Sequence, residues 1–165
     1  MKFVLFSALG LVMLLSSCNT PDEGVQPRTF SFSNSANMVT ELTWTVKEGN
    51  TVHSNGNNYV DVDIFIDPTD NDGDYYSSTS GSSFETINVP TDATDGTYQV
   101  AVKYYGNNGE PNLNYIVTYT IKMYPYGNVA AAQTFTGVLG ASLVSQKQYK
   151  LKLLKYPGGF QISEM

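Results

Sequence analysis

In four stretches of this chain, large apolar residues recur at every second position, the period of a pleated strand with one buried face and one wet face. In Met38 to Lys47, the residues Leu42, Trp44 and Val46 fall on one side, while Glu41, Thr43, Thr45 and Lys47 fall on the other. Val60, Val62, Ile64 and Ile66 alternate with Asp61, Asp63, Phe65 and Asp67; Tyr98, Val100, Val102 and Tyr104 alternate with Thr97, Gln99, Ala101 and Lys103. The cleanest run is Leu113, Tyr115, Val117, Tyr119, Ile121 and Met123, which predicts a central strand. Shorter candidates lie at 29–33, 84–89, 133–139 and 149–156. No segment of the mature chain carries a helical period, so the pattern predicts an all-β, antiparallel sandwich of jelly-roll type with about eight strands. The stretches Ser54 to Asn58, Asp70 to Asp74, Thr94 to Gly96 and Gly106 to Gly109 supply Asn, Asp and Gly, which tolerate the positive φ of tight turns. Lys150, Lys152 and Lys155 punctuate the last candidate and predict a charged edge strand.

The first residues have a different logic. Lys2, an apolar run from Phe3 to Leu15 and the box Leu15-Ser16-Ser17-Cys18 form a bacterial lipoprotein export signal. The run is shorter than the ~20 residues that a lasting membrane span requires. Cleavage before Cys18 would make the only cysteine the lipidated N-terminus, and two or three acyl chains suffice for stable anchoring. Residues 1–17 are therefore expected to be a signal peptide, 18–26 a lipidated flexible tether and 27–165 one domain of a size that folds without staples. Asn19 lacks the aspartate that retains some lipoproteins at the inner membrane, and Asp22 with Glu23 resembles a surface-export patch. Both favour the outer membrane, with a periplasmic or a surface-exposed domain left open. The mature part has no cysteine to form disulfides, so packing must stabilise it. A net charge of −6 with a single arginine, Arg28, argues against nucleic acid.

The motifs LTWTV (Leu42 to Val46), VDVDIFIDP (Val60 to Pro68), SGSSFETINVP (Ser80 to Pro90), GTYQVAVKYY (Gly96 to Tyr105) and NYIVTYT (Asn114 to Thr120) occur in an order that resembles secreted bacterial sandwiches of the pre-peptidase C-terminal, collagenase C-terminal-like family. The resemblance covers about half of the mature chain. It implies a β-sandwich that assists adhesion or substrate binding; any such role is analogy, because fold alone does not give function.

Two groups of residues carry candidate chemistry. Asp61 and Asp63 share a strand face ~6.6 Å apart, and Asp67, Asp70, Asp72 and Asp74 follow without an intervening base. This many carboxylates could hold calcium, which takes about six to eight oxygen ligands. The segment is not an EF-hand, since aligning Gly73 with the invariant glycine puts Pro68 at the first ligand position and Thr79 at the last. The alternative is ordinary turn and cross-strand hydrogen bonding. Tyr75, Tyr76, Tyr105, Tyr124 and Tyr126 fall in loops or on outward registers; gathered with Asn107, Asn108 and Asn112, they would form an aromatic and amide platform for a glycan or an extended protein.

Catalysis has little to stand on. His53 is the sole histidine, no Gly-x-Ser-x-Gly elbow exists, and Asp61 and Asp63 are expected on an open face with nothing apolar to raise a pKa. The expected molecule is a monomeric, non-catalytic envelope lipoprotein that binds a surface polymer or acts in adhesion. A structural subunit of an outer-membrane complex stays open beside it, and a carboxylate hydrolase is the third reading.

Overall fold

The alternating stretches fold as two packed antiparallel layers. The computed structural model describes residues 27–33, 35–70, 73–82, 84–108, 115–140 and 145–165. Its strands are β1 (Thr29–Ser33), β2 (Met38–Glu48), β3 (Thr51–His53), β4 (Val60–Pro68), β5 (Tyr76–Ser78), β6 (Phe84–Val89), β7 (Gly96–Asn107), β8 (Ile116–Pro125), β9 (Gln133–Gly140), β10 (Lys147–Tyr156) and β11 (Gly159–Glu164). One sheet has the order β1-β11-β10-β7-β4-β5. The other runs β3-β2-β8-β9, with β6 also pairing β2. Strands β3 and β6 thus share one edge of β2, β6 against Met38 to Thr43 and β3 against Val46 to Glu48.

The period-two residues meet between the sheets. Leu42, Val46, Val117 and Ile121 come from one layer; Val60, Val62, Ile64, Ile66, Val100, Val102, Leu151, Leu153 and Ile162 come from the other, and all are buried. Burying each such side chain contributes about 1.5–3 kcal/mol, which is how a domain without disulfides is held. Trp44 ties the layers, its indole Nε1 donating to the Val60 carbonyl at 3.0 Å. A Cβ on Gly56 would overlap that indole, so the short 3₁₀ turn at Gly56–Asn58 needs glycine for the close approach and not for its φ. Among the described residues the glycines at positive φ are Gly49, Gly127 and Gly159. Gly49, at +58°, makes the two-residue hairpin between β2 and β3.

All eight expected strands form, and β8 lies inside its sheet between β2 and β9. Three further strands are present. β3 and β5 are too short to show a period, and β11 pairs β10 through a tight turn at Pro157 and Gly158. This last hairpin corrects the expectation of a charged edge, because β10 sits between β11 and β7. Its lysines have different roles: Lys152 is exposed on the outer face, whereas Lys155 is buried and pairs with Asp95 at 2.9 Å.

Candidate functional site

The outer face of the six-stranded sheet carries a pocket of about 410 Å³ lined by Asp61, Asp63, Phe65, Thr79, Lys103 and Tyr105. Strand parity places the residues. Asp61, Asp63 and Phe65 are the outward positions of β4, and Lys103 is the register partner of Asp63 on β7. A bulge then inserts one extra residue. Asp61 pairs Gly106 while Val62 pairs Tyr104, so Tyr105 stands unpaired between them and projects at 57% exposure. Bulges commonly re-aim a side chain in this way. Strand β5 reaches only Ile64 to Ile66, which leaves the start of β4 to be flanked by Thr79 instead of a paired strand.

The floor of this pocket is electrostatically unusual. Asp63 is only 3% exposed, and both Asp61 Oδ1 and Asp63 Oδ1 are shut off from water with no hydrogen-bond partner. Unsatisfied buried acceptors of this kind are few in a native fold and call for an explanation. Burial pushes the Asp63 carboxyl up from 3.8 to about 6, helped by the charges of Asp61 and Glu85 and opposed by Lys103. Burial and the Glu85 charge raise Asp61 as well. Glu85 itself is buried but satisfied: it accepts from Ser78 Oγ, from Ser80 Oγ at 2.8 Å and from the Ser80 amide at 3.2 Å. The one cation in the pocket does not neutralise Asp63 by an ion pair. The Lys103 ammonium lies over the Tyr105 ring, 4.9 Å from its centroid. The expectation that Asp61 and Asp63 stand on an open face with nothing to raise a pKa is therefore corrected.

The remaining aspartates do not join them. Asp67 accepts from Lys147 Nζ at 2.7 and 2.9 Å and from Tyr149 OH at 3.1 Å. Asp70 accepts from Thr69 Oγ1 at 3.0 Å. Asp74 accepts from the Thr94 amide at 3.0 Å and from Tyr76 OH at 3.2 Å, and the amide bond holds its carboxyl below the usual range. Asp72 lies outside the described residues, as does Cys18. Among the described residues no three His, Cys, Asp or Glu side chains come together in a group that could hold a metal ion.

The aromatic platform is divided between the two sheets. Tyr75 and Tyr105 are exposed on the six-stranded side. Tyr76, expected outward, pairs with the core residue Ile66 and packs against the interior. Tyr124 lies in the other sheet, nearly buried, and donates to Glu41 at 2.6 Å; Tyr126 is exposed just beyond the same strand. Asn107 bonds Tyr104 OH, and Asn108 donates to the Asn57 carbonyl at 2.9 Å, so both brace the loop. Asn112 lies outside the described residues.

A second depression, of about 320 Å³, opens between the sheets at Tyr119, Ile121, Phe135, Leu151 and Glu164. Its carboxylate is already committed to Arg28. The pocket at Asp61 and Asp63 is thus the one in which acidic groups await a partner. Sequence parity could have joined Phe65 and Lys103 to it. Thr79 and Glu85 carry no such signal, because they arrive from a turn and from the opposite sheet. No protein-family model matches the chain, and neither the curated proteins nor the solved structures yield a significant match. The resemblance to pre-peptidase C-terminal sandwiches rests on strand patterning and the short motifs between Leu42 and Thr120.

Proposed function

We propose that this protein is a non-catalytic lipoprotein of the outer membrane, tethered at Cys18, whose sandwich binds a glycan of the cell envelope or its surroundings at the pocket of Asp61, Asp63, Lys103 and Tyr105. The observation that carries the reading is the pair of carboxylates, Asp61 and Asp63, that line the pocket outside any ion pair among the described residues, set beside the exposed ring of Tyr105. Sugars offer what such a pocket lacks. Their hydroxyls donate to carboxylates, and their C–H faces lie against aromatic rings. A volume of about 410 Å³ falls in the ~300–1,000 Å³ range of small-ligand pockets and would grip a short segment of a longer chain.

The test is retention of the detergent-solubilised protein on a panel of immobilised polysaccharides, with Asp61→Asn/Asp63→Asn and Tyr105→Ala as controls. The expected result is retention by one glycan class that both variants lose. Retention by none of them, or retention that both variants keep, would reject the pocket as the binding site. Release of soluble sugar from the retained polymer would replace binding with hydrolysis.

A second reading, as an accessory subunit of an envelope complex, draws on Val52, Ile116 and Val138, which are apolar and exposed on the outer face of the five-stranded sheet. Cross-linking from Val138 in intact cells would capture one defined neighbour if that reading is correct.

A further inference from the structure

The pocket is specific about charge as well as hydrogen bonding. Asp61 and Asp63 line one space, and among the described residues neither is held in an ion pair. The cation that strand register supplies, Lys103, is turned aside on to Tyr105. Glu85 adds a third negative charge nearby, but its oxygens are held by Ser78 and Ser80, so it deepens the field without competing for the ligand. Lys147, the register neighbour of Lys103 on β10, is fully engaged with Asp67 and the face of Phe65. A sugar hydroxyl could satisfy an oxygen yet would leave the charge. A hard divalent cation would have to keep most of its shell as water here, because among the described residues no three His, Cys, Asp or Glu side chains converge on one point. An ammonium group brings a charge and three donors on one atom, and charge-assisted bonds to carboxylate are about twice as strong as neutral ones.

On the glycan reading above, on which this step rests, we infer that the unit recognised in the pocket is an amino sugar whose free ammonium group sits between Asp61 and Asp63. An ammonium attached directly to a ring must bring the ring in with it. The breadth of the pocket, the exposed face of Tyr105 and the hydroxyl of Thr79 give that ring a wall and a hydrogen-bonding partner. The N-acetylated sugar would fail here, because acetylation removes the charge and adds bulk where the carboxylates are.

The experiment is calorimetric titration of the full chain in detergent micelles at pH 7 with four probes of matched length: oligomers of glucosamine, of N-acetylglucosamine and of glucose, and oligolysine. The glucosamine oligomer is expected to bind about tenfold or more tighter than its acetylated twin. Asp63→Asn should erase that difference. Lys103→Gln should tighten glucosamine binding by removing the competing charge, a gain that a misfolded variant cannot imitate. Equal affinity for the acetylated and free oligomers, still lost in Tyr105→Ala, would overturn the ammonium assignment and leave the glycan reading standing. Binding of no sugar oligomer would overturn both. Tighter binding of oligolysine than of the glucosamine oligomer would overturn the amino sugar in favour of a basic peptide.

Discussion

Asp63 and Asp67 stand on the same face of the same strand, four residues apart and both nearly buried, at 3% and 9% exposure. Their surroundings are opposite. Asp67 receives a lysine on both oxygens and a tyrosine hydroxyl on one, and Lys147 is in turn capped by the Phe65 ring at 4.1 Å. Asp63 keeps an oxygen with no donor, and its register-matched lysine rests on Tyr105. Burial and chemistry are matched, so the difference lies in partners alone. A fold that can complete one buried carboxylate could complete the other. Leaving Asp63 open costs stability, and departures from internal consistency of this kind concentrate at functional sites.

The largest effect should come from turning the closed end of β4 into a copy of the open end. Lys147→Met strips Asp67 of its cation while keeping most of the apolar stem. Breaking a buried pair from one side typically costs ~3–5 kcal/mol, and the partial exposure of Lys147 reduces the expected loss to about 2 kcal/mol. Urea denaturation at pH 7 measures it. A loss below about 0.5 kcal/mol would mean that Asp67 is as tolerant of isolation as Asp63, and the contrast would collapse.

The converse change, Asp63→Asn, should stabilise the protein by about 1 kcal/mol at pH 7, because it removes a charge that burial and the neighbouring charges of Asp61 and Glu85 penalise. The pH dependence has a definite sign. The folded pKa of about 6 lies above the ordinary 3.8, so between these values the native state holds a proton that the unfolded chain has lost. The contribution of Asp63 is fully present below about pH 4 and is lost as pH rises through about 6. Asp74 has a depressed value and acts in the opposite direction, its contribution disappearing as pH falls. Subtracting the Asp63→Asn stability curve from that of the wild type isolates the Asp63 component. A flat difference across pH 4 to 6 would show that its carboxyl is not perturbed.

Why the two ends of β4 differ could be read only partly from the sequence. The alternation of Val60 to Ile66 defined the strand and its inward face, and Trp44, Val117 and Ile121 defined the facing layer, because burial in a sandwich follows parity. Parity also says that Asp61, Asp63 and Asp67 share the other face. It does not say how that face is covered. Asp67 is closed by Lys147 and Tyr149, which are 80 and 82 residues away on β10, a strand that comes to lie between β11 and β7. Tyr105 reaches the pocket through a bulge, and a single extra residue in a ladder leaves no trace in composition. The aspartates from 61 to 74 suggested one calcium centre because spacing along the chain was the only measure; in space Asp67 turns to β10, Asp70 accepts from its neighbour Thr69 and Asp74 from the distant Thr94 amide.

The smallest expected effect concerns the other acid at a sheet margin, and it separates geometry from energy. Arg28, just before β1, and Glu164, at the end of β11, are joined by two side-chain bonds, as many as Lys147 makes to Asp67. Both are solvent-accessible, however, and water and salt screen such pairs. Glu164→Gln should therefore leave the unfolding midpoint unchanged within error, in low salt and in high. Arg28→Ala should lower it measurably, because the guanidinium also lies over two rings, 5.9 Å from the Phe30 centroid and 5.4 Å from that of Phe135, and so covers the seam between the two sheets. Equal losses in the two variants would assign the effect to the ion pair. An exposed pair would then contribute as a buried one does, and the inference that partners matter at Asp63 because water is excluded there would lose its footing.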